Sequence, residues 1–168
     1  MTIRSTLPLI CLASLMMGQA GCPTETCQDL SDQDTDGTIS GVVVTQFDWT
    51  DFLSDPVFYE SIQPGCDQLL IDLSYSGGCA THRLTLYASD TFADSAPGQA
   101  DVWLVHADGG DTCESIVPET QVYNLTPLKN TYLAANPGEE VLIVNVRDGD
   151  GSVLESFEYD LVSNNALF

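Results

Sequence analysis

The chain has 168 residues, 25 of them Asp or Glu against 4 Lys or Arg, for a net charge of −21. Such a surface repels nucleic acid and anionic lipid headgroups and suits cationic ligands, divalent metals or a saline setting. With 43% hydrophobic residues the chain can bury a core, and its length fits one domain.

Arg4 precedes an apolar run from Leu7 to Met17 that closes on Gly18-Gln-Ala-Gly-Cys22. One positive charge, a short hydrophobic stretch and small residues before a cut read as a secretory signal over 1–21, too short to span a bilayer. Ala20, Gly21 and Cys22 also match the cleavage box of bacterial lipoproteins, with Gln19 standing where Leu is usual. Over these first two dozen residues the chain resembles a bacterial lipoprotein precursor. The resemblance implies that Cys22 becomes an acylated N-terminus of the palmitate-bearing kind. It also implies a protein anchored in the cell envelope, at the outer membrane on its periplasmic or outer face. A plainly cleaved signal with Cys22 free is the alternative.

Residues 22–37 are polar and acidic, with nothing to bury, and read as a flexible tether. Within them Asp32, Asp34, Asp36 and Gly37 are spaced like the start of an EF-hand calcium loop, where alternating carboxylates converge on one hard cation. The twelfth position, however, is Val43 instead of a bidentate Glu, and Val42-Val43-Val44 is β-prone. A solvated tether competes with a weak calcium site.

Residues 38–168 read as one domain of short strands. Thr38 to Phe47 is rich in Val and Thr, and Gly41 marks a bulge or bend. Between Asp48 and Cys66, Trp49, Phe52, Phe58 and Tyr59 are expected to plug one end of the core. Asp55-Pro56 there could open a short helical turn. Gln68 to Tyr75 places Leu69, Ile71, Leu73 and Tyr75 on one face by two-residue alternation. Thr81–Tyr87 and Ala100–Ala107 are two more strands, joined by a loop from Asp90 to Gly98. Glu114–Asn124 follows, with Pro118 placing part of it at an edge. Leu125 to Pro137 reads as a connection punctuated by Pro127, Asn130 and Asn136-Pro137-Gly138. Glu140–Val146 and Val153–Leu161 form a hairpin across Arg147-Asp-Gly-Asp-Gly-Ser152. Seven or eight strands without helical spacers predict an all-β fold, an antiparallel two-layer sandwich of immunoglobulin-like type. A small barrel is the alternative.

Both histidines fall in the central pair of strands. If these strands pair antiparallel about Asp94, Leu86 lies opposite Val102, Leu84 opposite Leu104 and His82 opposite His106. Cys79 then approaches the Gly109-Gly110 loop, within reach of Cys113. Cys11 leaves with the signal and Cys22 takes lipid, so Cys27, Cys66, Cys79 and Cys113 remain for an oxidising compartment. The hairpin favours Cys79–Cys113, and Cys27–Cys66 follows by elimination.

The sharpest chemical candidate is a metal site of His82 and His106 with Asp108 and Asp111, a two-histidine and carboxylate set suited to zinc, copper or iron. Against it stands a structural role, in which the imidazoles cap the core and bond each other beside a disulfide. Nucleophilic catalysis finds no support, for there is no G-x-S-x-G elbow and a Cys–His dyad would need a persistent thiol. Trp103, Tyr87 and Arg83 face away from the histidines and could form a ligand platform. Asn124-Leu-Thr126 matches a glycosylation sequon by coincidence. The reading is a non-catalytic binding or structural envelope module without a cofactor, whose partner is an unknown protein or small molecule. A metal carrier or metal-dependent enzyme using His82 and His106 is the rival.

Overall fold

A computed structural model describes residues 39–46, 50, 53–162 and 166–167. Cys22, Cys27, Asp32, Asp34 and Asp36 lie outside the described residues, as do Trp49 and Phe52.

Two sheets pack face to face. The strands in chain order are β1 (Ile39–Gly41), β2 (Val43–Thr45), β3 (Phe58–Pro64), β4 (Gln68–Gly77), β5 (Arg83–Ser89) and β6 (Gly98–Ala107). They continue with β7 (Ser115–Asn124), helix α1 (Thr126–Ala135), β8 (Val141–Arg147), β9 (Val153–Asp160) and β10 (Ala166–Leu167). One sheet has the order β1-β7-β4-β3 and the other β10-β9-β8-β6-β5-β2. Alternation along β4 works as its sequence predicts. Leu69, Ile71, Leu73 and Tyr75 enter the shared core, while Leu70 joins Val122 in a separate small cluster. From the facing sheet come Leu86, Val102, Leu104, Val144, Val146, Phe157 and Tyr159.

The sandwich is not purely antiparallel. β1 runs parallel to β7, β2 parallel to β5, and β6 parallel to β8. Gly41 is indeed a bend: immediately after it, at buried Val42, the chain leaves one sheet and enters the other. The third parallel pair arises because the chain leaves β6, adds β7 to the opposite sheet, and returns through α1 to β8. Parallel neighbours need such a crossover.

Helix α1 corrects the expectation of a plain connection over Leu125–Pro137. Pro127 sits in its first turn, where a missing N–H costs nothing, and the Asn124 side chain accepts the Thr126 N–H. Asn136-Pro137-Gly138 follows the last turn, with Gly138 at φ 95°. The same punctuation that suggested a loop marks the two ends of a ten-residue helix. Leu128, Lys129 and Tyr132 are its buried residues.

The segment before β3 also differs from expectation. Residues 53–57 hold no helical turn. Instead the Asp55 N–H donates to the His106 carbonyl and its carboxylate accepts the Asp108 N–H, so the segment is tied extended beside the end of β6. Phe58 is 61% exposed and plugs nothing, because on edge strand β3 it points outward while Tyr59 packs on the core. Pro118 lies where β7 has no described neighbour on one side, since β1 pairs only with Val122–Asn124. That is the edge position its missing donor requires.

Helix α1 packs on the start of β6, where Gly98 leaves room for the Tyr132 ring and hydroxyl; any Cβ at Gly98 would collide with them. Gly98→Ala is therefore expected to destabilise the fold by about 1–3 kcal/mol, as overpacking does. Urea denaturation of the two proteins measures it.

Candidate functional site: the histidine and disulfide end

Strands β5 and β6 pair antiparallel with Leu84 opposite His106, Leu86 opposite Leu104 and Ala88 opposite Val102. The hairpin is centred on Ser95 instead of Asp94, so every partner is two residues away from the predicted one. A shift of two preserves the faces, because side chains alternate with period two. Tyr87 and Trp103 accordingly lie opposite one another on the face away from the histidines.

His82 precedes the first residue of β5 and meets His106 diagonally, with His82 Nδ1 2.8 Å from His106 Nε2. On its other side His82 Nε2 lies 3.1 Å from Asp111 Oδ2. A carboxylate only accepts, so His82 carries its proton on Nε2, and in the neutral pair its Nδ1 accepts the Nε2–H of His106. The Nδ1 of His106 is then a buried lone pair, without a partner among the described residues. Tyr75 closes the cluster from β4. Its ring stacks on His82 at 4.4 Å and 19° and leans on His106 at 4.8 Å. The Tyr75 hydroxyl donates to Glu119 Oε2 at 2.5 Å, and burial together with that carboxylate pushes the phenol up to about 12.

Asp111 is the hub. Its Oδ2 accepts the N–H groups of Cys79 and Ala80, each at 2.8 Å, besides His82, and its Oδ1 accepts the Cys113 N–H at 2.9 Å. The side chain is 1% exposed. The backbone N–H groups of Cys113, Ala80 and Cys79, then the His82 imidazole, hold its carboxyl well below the usual carboxylate range, outweighing desolvation. The disulfide Cys79–Cys113, Cα–Cα 5.9 Å, joins the two segments that Asp111 gathers. Cys66 is disulfide-bonded as well; its predicted partner Cys27 lies outside the described residues.

The predicted metal set divides. His82, His106 and Asp111 come together, but Asp108 turns away: its Oδ1 accepts the Gly110 N–H and its own N–H goes to Asp55. The two imidazoles face each other nitrogen to nitrogen in place of converging on a shared point. Among the described residues, the group with donor atoms in metal-binding reach is Cys79, Asp111 and Cys113, all within 4.8 Å, and both sulfurs are spent in the disulfide. The arrangement is chemically a lock.

Three contributors escaped the sequence. Gly77 is required because a Cβ there would sit 2.5 Å from the His82 ring and 3.1 Å from Asp111 Oδ2. Tyr75 was placed on the inward face, but nothing in its spacing pointed to the histidines. Glu119, 44 residues further on, gave no local signal. Glu119 also lines an open groove of about 500 Å³ with Glu60, Ser61, Asp72, Leu73, Pro118 and Thr120. Asp72 accepts the hydroxyls of Ser61 and Thr120, both at 2.6 Å.

No family model matches the chain, and neither does any curated protein. Among solved structures, a NigD-like immunity protein from Bacteroides caccae is 20% identical with a TM-score of 0.50, over 80% of this chain and 74% of its own. The likeness is one of fold. A protein of unknown function from Bacteroides vulgatus is 17% identical with a TM-score of 0.49, over 73% of this chain. The present chain spans 56% of that protein's length.

Asp111 provides a pH test. Its folded pKa lies below the ordinary 3.8, so the stability it contributes is present above that value and is lost as pH falls through the folded one. Asp111→Asn should lower the urea midpoint at neutral pH and narrow its deficit steadily in acid. Because the other carboxylates titrate alike in both proteins, the difference between the two pH profiles isolates Asp111; parallel profiles would contradict the account.

Proposed function

We propose that this chain is a lipid-anchored cell-envelope module, held through Cys22 at the outer membrane, whose sandwich domain has a non-catalytic binding or structural role. The observation that carries this reading is the closure of the histidine end. His82 and Asp111 side chains are 3% and 1% exposed, and both cysteines are covalently joined, so the groups best suited to chemistry are bonded to one another. Among the described residues no helix is long and apolar enough to cross a membrane; a lipid on Cys22 would supply the attachment in this reading. If the domain has a small ligand, the open groove beside Glu119, with carboxylates from Glu60, Asp72 and Glu119, suits a cationic group.

The anchor is tested by growing a lipoprotein-processing bacterium that expresses the full chain with labelled palmitate. The wild type should take up label and pellet with membranes, and Cys22→Ser should do neither. An unlabelled wild type would end the anchoring reading.

The lock is tested separately by the double substitution His82→Asn and His106→Gln. A lower melting temperature with unchanged metal content is the expected result, measured by calorimetry and elemental analysis. Loss of a stoichiometric metal from the wild-type level would hand the site to the metal-binding reading.

A further inference from the structure

Lys129 is the only lysine in the chain, and in a protein of this acidity it belongs on the surface. It is instead 9% exposed in α1, with Nζ 3.2 Å from Asp67 Oδ1. Tyr159 of β9 donates its hydroxyl to the same oxygen at 2.5 Å, and Nζ stands 5.7 Å from the centre of that ring. Asp67 is itself held. Its carbonyl accepts the Leu125 N–H at the start of α1, and the preceding Cys66 is in a disulfide. Three elements thus deliver a nucleophile, a carboxyl carbon one bond beyond the contacted oxygen, and a proton donor on that oxygen, all beside the core.

We propose that Lys129 and Asp67 condense to an isopeptide bond, making this contact a self-modification site. The pair is costly as ions, because desolvating two charges offsets most of their attraction. Transfer of one proton from Nζ to Asp67 Oδ2 within the contact gives the amine and the carboxylic acid that condense. Nζ then attacks Cγ, the carbon that carries the oxygen it contacts at 3.2 Å. Tyr159 stabilises the charge developing on Oδ1, as a fixed donor does in an oxyanion site. The N–Cγ bond forms, the Cγ–Oδ2 bond breaks, and Oδ2 leaves with its proton and one from Nζ as water. Oδ1 remains as the amide oxygen, still bonded by Tyr159. Burial and the adjoining carboxylate push the Tyr159 phenol up, so it stays a donor throughout. The Asp67 side chain is 22% exposed, which gives the water an exit. The product would close a span of 62 residues and fix α1 to the β3–β4 turn.

The test is the intact mass of the purified, denatured protein after prolonged incubation in the folded state. Wild type should weigh one water less than its sequence with disulfides, and peptide mapping should yield a branched peptide joining Lys129 to Asp67. Lys129→Arg keeps the charge but has no free amine, and should regain the water. Tyr159→Phe should slow the loss without abolishing folding. A wild type of full mass would overturn the proposal. So would a water deficit that persists in Lys129→Arg, which marks dehydration of an aspartate to a cyclic imide.

Discussion

Asp111 keeps a negative charge where water barely reaches, and three backbone N–H groups and an imidazole answer it. A carboxylate whose oxygens are turned inward needs donors to replace the water it gives up. The chain must therefore bring residues 79–82 and 111–113 together around it, and that requirement positions the rest of the end. Once the Cys79–Ala80 backbone is fixed, His82 is presented to Asp111 and its free nitrogen to His106. Tyr75 fills the space above both rings, and Gly77 is small because His82 lies against it. The disulfide adds covalent closure to an arrangement already specified by hydrogen bonds.

The helix contact uses the same device with opposite chemistry. There a lone cation is led into the core and met by a carboxylate and a phenol, Lys129 with Asp67 and Tyr159. Each cluster spans elements of both sheets or their connections, so the layers are pinned by polar contacts as well as by the apolar core. A sandwich held only by non-directional burial could slide in register. Satisfied polar contacts in a dry setting allow one arrangement.

Much of the fold was legible because strand alternation is a local property. Leu69, Ile71, Leu73 and Tyr75 announce an inward face, and Arg147–Ser152 announces a turn, without knowledge of neighbours. The parallel pairings were not legible, since nothing within Val43–Thr45 or Val141–Arg147 says which strand will lie alongside. Helix α1 was missed because Pro127 and Pro137-Gly138 mark helix ends and loops alike, and ten residues give periodicity little room. In the site, the meeting of His82, His106, Cys79 and Cys113 followed from counting along a hairpin, and an error of one residue in its centre, which moves each partner by two, left the faces intact. Asp108 could not be separated from Asp111 by sequence. The distinction is which carboxylate faces the Cys79–Ala80 backbone, and that depends on the path of the Gly109-Gly110 turn.

The change of sheet at Val42 has a mechanical side. β1 and β2 are one short stretch that pairs with β7 in one layer and with β5 in the other. Tension applied at Ile39 would run along strand axes, across which the backbone hydrogen bonds lie. Those bonds would be loaded together in shear, not opened one after another like a zip. The load would then be shared between both layers instead of peeling one from the other. On the anchored reading proposed above, the entry strand is the place where resistance to drag is built.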